Sequence, residues 1–174
     1  MKQLIKQVPD HEDEKTIHLF KLCKSLKTQG YATKEQLLMI LKWKSPRPLR
    51  QYELNDKDSI KEITSLAFAT KNERLRIHIL TTLDGVSYPA ASAILMFYDR
   101  KRYPVLDIRV WQQLHKAKLV ESNARGQNFT LRQWVIYLEI VRQLAKELSL
   151  SARQVEKRIF DFDTNTRVGK LYKS

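Results

Sequence analysis

The sequence predicts an all-α protein, on three observations. Gly and Pro are scarce, 4 and 5 in 174 residues, so few positions interrupt a helix. Apolar residues recur at three- and four-residue spacing along most of the chain, which is the period of one helix face. Three tetrapeptides, TKEQ, TLRQ and SARQ, have the form of a capping box, in which a hydroxyl accepts from a first-turn amide and the glutamine bonds back to the cap. Strand signals are weak, the best being the short YPVLDI.

The first helix is expected over residues 12–27, with Ile17, Phe20, Cys23 and Leu26 on the apolar spacing and Gly30 as its stop. Thr33 and Gln36 open the next, continued by Leu37, Leu38, Ile40 and Leu41. WKSPRP, residues 43–48, must break it, because the residue before each proline is biased away from helix. An irregular basic loop is the expectation there. Helical spacing resumes near Lys57 through Ile60, Ile63, Leu66 and Phe68, and again after Asn72 through Leu75, Ile77, His78 and Leu80. LDGVSYPAASAIL, residues 83–95, reads as a helix end, a turn at 84–88 and a helix starting on Pro89, where a first-turn amide has no intrahelical partner to lose. Ala90, Ala91, Ser92 and Ala93 then allow a close approach to another backbone. YPVLDIRVW, residues 103–111, sets Asp107 after an apolar run and before a further helix. Thr130 and Ser151 open the last two helices, the first carrying Trp134, Tyr137, Leu138, Val141 and Leu144.

Composition narrows the function. Lys and Arg number 32 against 19 Asp and Glu, a formal charge of +13, which favours a polyanionic partner, nucleic acid first. The alternative is that the lysines keep a helical protein soluble. Cys23 stands alone, which excludes a disulfide framework or a four-cysteine iron–sulfur cluster. No run approaches the roughly 20 apolar residues of a membrane span, and MKQLIKQVPDHEDEK lacks a signal-peptide core. A soluble, cytoplasmic, monomeric protein is expected, in one compact domain or two small lobes sharing a cleft. His11, His18, His78 and His115 show no metal-ligand spacing, nucleotide-cofactor motifs are absent, and DFD at residues 161–163 reads as solvation or capping at a helix end. No catalytic metal is expected.

Two stretches carry the chemistry. A turn that exposes successive amides and feeds a helix N-terminus is an anion site, and a DNA phosphate docked on Gly85–Tyr88 would position a duplex without reading its sequence. The alternative is an ordinary corner in which Gly85 only supplies a positive φ. Asp107 also has two readings, a helix cap or a carboxylate facing a reacting group. Together, L-x-G-V-x-x-P-A-A-S-A-I-L and Y-P-V-L-D-I-R-V-W resemble the helix-hairpin-helix (HhH-GPD) DNA glycosylase superfamily, over about residues 75–115.

The resemblance implies two helical lobes around a cleft, with an N-terminal helical part at 1–72, a hairpin and aspartate lobe at 73–148 and a C-terminal helix and tail at 149–174. It implies a monofunctional DNA N-glycosylase that flips out and excises a damaged, modified or mismatched base of double-stranded DNA, nucleoid-associated when bound. Asp107 would stabilise an oxocarbenium-like sugar or activate water. Gly85, Val86, Ser87 and Tyr88 would grip the backbone, with no cofactor beyond a monovalent cation compatible with the hairpin carbonyls. Three departures stand out. Pro89 occupies the place of the lysine that gives bifunctional members their Schiff base, so lyase activity is not expected from that position. Ser87 replaces the second hairpin glycine. Arg109 stands where many relatives have histidine, placed to pair with Asp107 or a phosphate. Trp43, Lys44 and Arg47, in the proline-stiffened loop, are further candidates for phosphate or base contact. Tyr88 packs under the turn or touches DNA, and Trp111 and Trp134 read as core. The alternative function is a non-catalytic helix-hairpin-helix DNA-binding protein; a helical RNA- or partner-binding protein is a third reading.

Overall fold

The computed structural model describes residues 1–169 and 171, so the end of the predicted C-terminal segment lies outside the described residues. Among them are eleven helices and no strand. They are α1 (Lys2–Gln7), α2 (Glu14–Leu22), α3 (Leu26–Gln29), α4 (Lys34–Lys44), α5 (Leu49–Leu54), α6 (Lys57–Ala69), α7 (Glu73–Leu80), α8 (Tyr88–Tyr98), α9 (Ile108–Lys116), α10 (Leu131–Leu148) and α11 (Ala152–Thr166). All three capping boxes form, at Thr33–Gln36, Thr130–Gln133 and Ser151–Gln154, and they open α4, α10 and α11.

Three local readings change. The helix expected over 12–27 is broken after Leu22, and Ile17 is exposed rather than on a core face. At the break the side-chain amide of Gln36 donates to the Leu22 carbonyl and the Ser25 hydroxyl, supplying a donor to a carbonyl that receives none from its own helix. The basic loop is shorter than expected at both ends, because α4 runs on through Trp43 and Lys44, which are helical rather than in the loop, and α5 starts directly after Pro48 and buries Tyr52. Proline fits there because its fixed φ suits the position before a first turn. YPVLDI is not a strand but an extended, buried segment in which Tyr103, Val105 and Leu106 are sealed from solvent.

The core is built around α8. Ala90 to Phe97 are all buried, and α4 and α7 pack against the helix. Its small residues permit this, since close backbone approach needs short side chains. Phe97 closes the end of that contact, with the rings of Phe20 and Trp43 each 5.0 Å from its own. Cys23 sits in the same region, where burial pushes its thiol up to about 11 and leaves it a small apolar filler. On the far side α11 packs on α9, α10 and α1, which joins the beginning of the chain to its last helix. No described helix is long and apolar enough to cross a membrane.

Candidate active site at Asp107

The extended stretch before Asp107 has no partner strand, so side chains from three helices satisfy its backbone. The Leu106 amide donates to Ser92 Oγ (2.8 Å), and that hydroxyl donates to the Pro89 carbonyl (2.7 Å). The Tyr137 hydroxyl donates to the Val105 carbonyl at 2.7 Å. The Val105 amide donates to Glu156 Oε2 at 3.4 Å. Tyr137 remains a neutral donor, because burial and the nearby carboxylates of Glu156 and Asp107 push its hydroxyl well above the usual range. Asp107 therefore projects from a braced segment. Its Oδ1 accepts from the Arg109 amide at 2.9 Å and caps α9, while its Oδ2 accepts from Lys44 Nζ at 2.8 Å. Both side chains keep a small exposure, 18% for Asp107 and 14% for Lys44.

This ion pair lines two concavities. One is an open groove of about 500 Å³ whose walls include Lys44, Arg47, Ser87, Pro89, Gln127 and Asn128. The other is a smaller, similarly open cavity of about 230 Å³, lined by Trp43, Val105, Arg153, Glu156 and Phe160. Lys44 and Asp107 belong to both, and so form the wall between them.

The turn lies at the open groove. Gly85 has φ +76°, and a Cβ there would meet Gln51 Cβ at 2.8 Å and Tyr52 Cδ1 at 3.0 Å. Asn55 clamps the turn from α5, donating to the Asp84 carbonyl (3.1 Å) and accepting from the Asp84 amide (2.8 Å). Gly85→Val is therefore expected to lower unfolding stability by about 2–4 kcal/mol, from left-handed backbone strain and overpacking together. Urea titration checks this, and a variant as stable as the parent would mean that α5 does not press on the turn. Among the described residues the amides of Ser87, Tyr88 and Ala90 make no hydrogen bond. Val86 differs, because its side chain is buried and its amide donates to the Leu83 carbonyl. The backbone contact expected of Val86 has no donor there. Tyr88 lies along α7 rather than under the turn, its hydroxyl 3.0 Å from His78 Nδ1.

Of the remaining candidates, Arg47 is exposed on the groove wall. Arg109 does not pair with Asp107. Its guanidinium donates to Asp163 at 3.1 Å and lies over the Phe160 ring. Asp163 in turn is not at a solvated helix end. It is fully buried and also accepts from Gln113 and Arg167. Burial pushes its carboxyl up, but the hydrogen bonds from Arg167, Gln113 and Arg109 outweigh that and hold it below the usual range. Trp111 and Trp134 are core residues.

The sequence reading missed Arg153, Glu156 and Phe160. With Asp163 they recur on α11 at spacings of three and four, a charged stripe beside the apolar stripe of Ala152, Val155 and Ile159. That second stripe was the available signal. Burial raises the Glu156 carboxyl above the ordinary glutamate range, against the opposing effect of Arg153. No group of three or more His, Cys, Asp or Glu side chains among the described residues could hold a metal ion. Fold and site together define an all-helical protein with a carboxylate–lysine pair shared by an open groove and a smaller cavity with aromatic walls. Compared with known proteins, the chain matches no family model, no curated protein and no solved structure.

Proposed function

We propose that the protein is a monofunctional DNA N-glycosylase of helix-hairpin-helix type, with α7, the turn and α8 as the hairpin. The observation that carries this reading is the position of Asp107, braced where the groove that Ser87 and Pro89 line meets the smaller cavity. In it, the duplex lies along the groove and one nucleotide rotates out of the stack toward the cavity. The C1′–N bond breaks as the carboxylate stabilises positive charge on the sugar. Water adds its hydroxyl to C1′, and its proton leaves with the departing base. Lys44 opposes that charge while it stays paired with Asp107, so this mechanism has Lys44 turn to a phosphate when DNA binds.

The hairpin contribution has a direct test. Ser87 has φ −84°, close to the value proline imposes, and its amide has no internal acceptor. Ser87→Pro is expected to weaken duplex binding roughly tenfold on every sequence, the loss of one charge-assisted hydrogen bond. Affinity of the parent should also fall steeply with salt. Fluorescence anisotropy with several labelled duplexes measures both. Unchanged affinity, or a flat salt dependence, removes the turn and the basic surface from the interface.

Catalysis is tested on duplexes carrying deaminated, oxidised, alkylated or mismatched bases. The product is an intact abasic strand that breaks after alkali or heat, since Pro89 offers no amine. Borohydride trapping of a protein–DNA adduct would contradict that, and loss of the adduct in Lys44→Gln would assign the amine to the lysine beside Asp107. One observation favours a non-catalytic DNA-binding protein instead. Asp107 also acts as an ordinary cap for α9, a role that needs no chemistry.

A further inference from the structure

We propose that the cavity behind Asp107 is a pocket for a planar nucleobase bearing an amino group, read by the unoccupied carboxylate oxygen of Glu156. The base reaches it from DNA only if the glycosylase reading holds; the chemistry of the pocket stands on its own geometry. At about 230 Å³ the cavity is smaller than the roughly 300 Å³ at which pockets for drug-sized ligands begin, so its occupant is one mono- or bicyclic ring. Trp43 and Phe160 supply aromatic walls. Trp43 is fixed by its indole N–H, which donates to Thr16 Oγ1 at 2.9 Å, and by its edge contact with Phe97.

Polar groups in the pocket decide which edge of the ring fits. Its cations are committed. Lys44 is bonded to Asp107, Lys157 to Asp161, and Arg153 to both Glu12 and Glu156. Asp13, which also lines the cavity, accepts from Thr16 with both oxygens. Glu156 is 2% exposed and accepts two hydrogen bonds, from Arg153 Nη1 (2.5 Å) and the Val105 amide (3.4 Å). Both fall on Oε2. Oε1 accepts none among the described residues and is not among their sealed, unpartnered polar atoms, so it keeps an opening to solvent through which a donor can reach it. An amino group is such a donor. A carbonyl edge placed there would set two acceptors against each other, which rejects it more strongly than a missing contact would.

Free bases test the pocket without DNA. Trp111 and Trp134 are fully buried, so quenching of indole fluorescence reports on Trp43. Adenine is expected to quench saturably and to bind about tenfold more tightly than purine, the same ring without the amino group, with cytosine and 2-pyrimidinone behaving as a second such pair. In Glu156→Met the preference within each pair should vanish. Should that variant not fold, the two pairs on the parent protein still decide. Equal affinities, or no saturable quenching by adenine, overturn the pocket. Base release from duplexes is scored separately. Amino-base discrimination without any release would keep the pocket and remove the glycosylase reading, whereas release without discrimination would do the reverse.

Discussion

Asp107→Asn is expected to reduce base release from duplex DNA by at least about a hundredfold in a variant that still folds, with duplex affinity little changed. Asparagine is nearly isosteric and caps a helix about as well as aspartate, so the bond from the Arg109 amide survives. The negative charge is lost, and an amide nitrogen replaces the oxygen that accepted from Lys44. Lys44 then lacks both its ion pair and its acceptor, because the asparagine Nδ2 faces it, and its ammonium must turn toward solvent, so some stability is lost with the charge. A single-turnover assay on whichever duplex the parent processes gives the rate, and a urea titration gives the stability. An asparagine variant that releases base at the parental rate would reduce Asp107 to a helix cap. The non-catalytic reading predicts no release from either protein.

Much of the fold was legible because it was written locally. Each capping box needs four consecutive residues and no tertiary information, and all three start helices where the sequence places them. Pro89 and the small residues after it likewise announced a helix that tolerates close packing. The helix expected over 12–27 failed for the opposite reason. Its interruption is stabilised by Gln36, a residue of another helix that reaches the Leu22 carbonyl, and no periodicity within 12–27 contains that contact. The site divides in the same way. Asp107 and the turn stood out through motif and spacing, and Lys44 through a basic loop. Their convergence on one groove required tertiary packing. Arg109, two residues after Asp107 in sequence, was open to pairing with Asp107 or with a phosphate. A helix turns by about 200° over two residues, which sends the side chain to α11 instead. Glu156 and Asp163 were opaque because charged residues on a helix are ordinarily solvated, and only the neighbouring apolar stripe hinted that this face turns inward.

Asp163→Ala is expected to lower unfolding stability by about 3–5 kcal/mol, because it leaves buried charges without their partner. Asp163 is sealed from solvent and receives Arg109 (3.1 Å), Gln113 (2.5 Å) and two bonds from Arg167 (2.7 Å each), so both carboxylate oxygens are filled. These bonds hold α9 against α11. The effect should also reach the site, since α9 begins at Asp107. The pH dependence has a definite sign. The folded carboxyl titrates below its ordinary value of 3.8, so its contribution is present above that value and is lost as pH falls through the lower, folded one. Urea titrations at pH 7 and near pH 3 should therefore show the gap between parent and variant narrowing in acid. A gap that is small at pH 7, or that widens in acid, would mean that the carboxylate does not bind the two helices together. Base release in the same variant, assayed well below its midpoint of unfolding, separates positioning from stability. Looser anchoring of α9 is expected to slow the chemical step while duplex affinity, set by the turn and the groove walls, stays near the parental value.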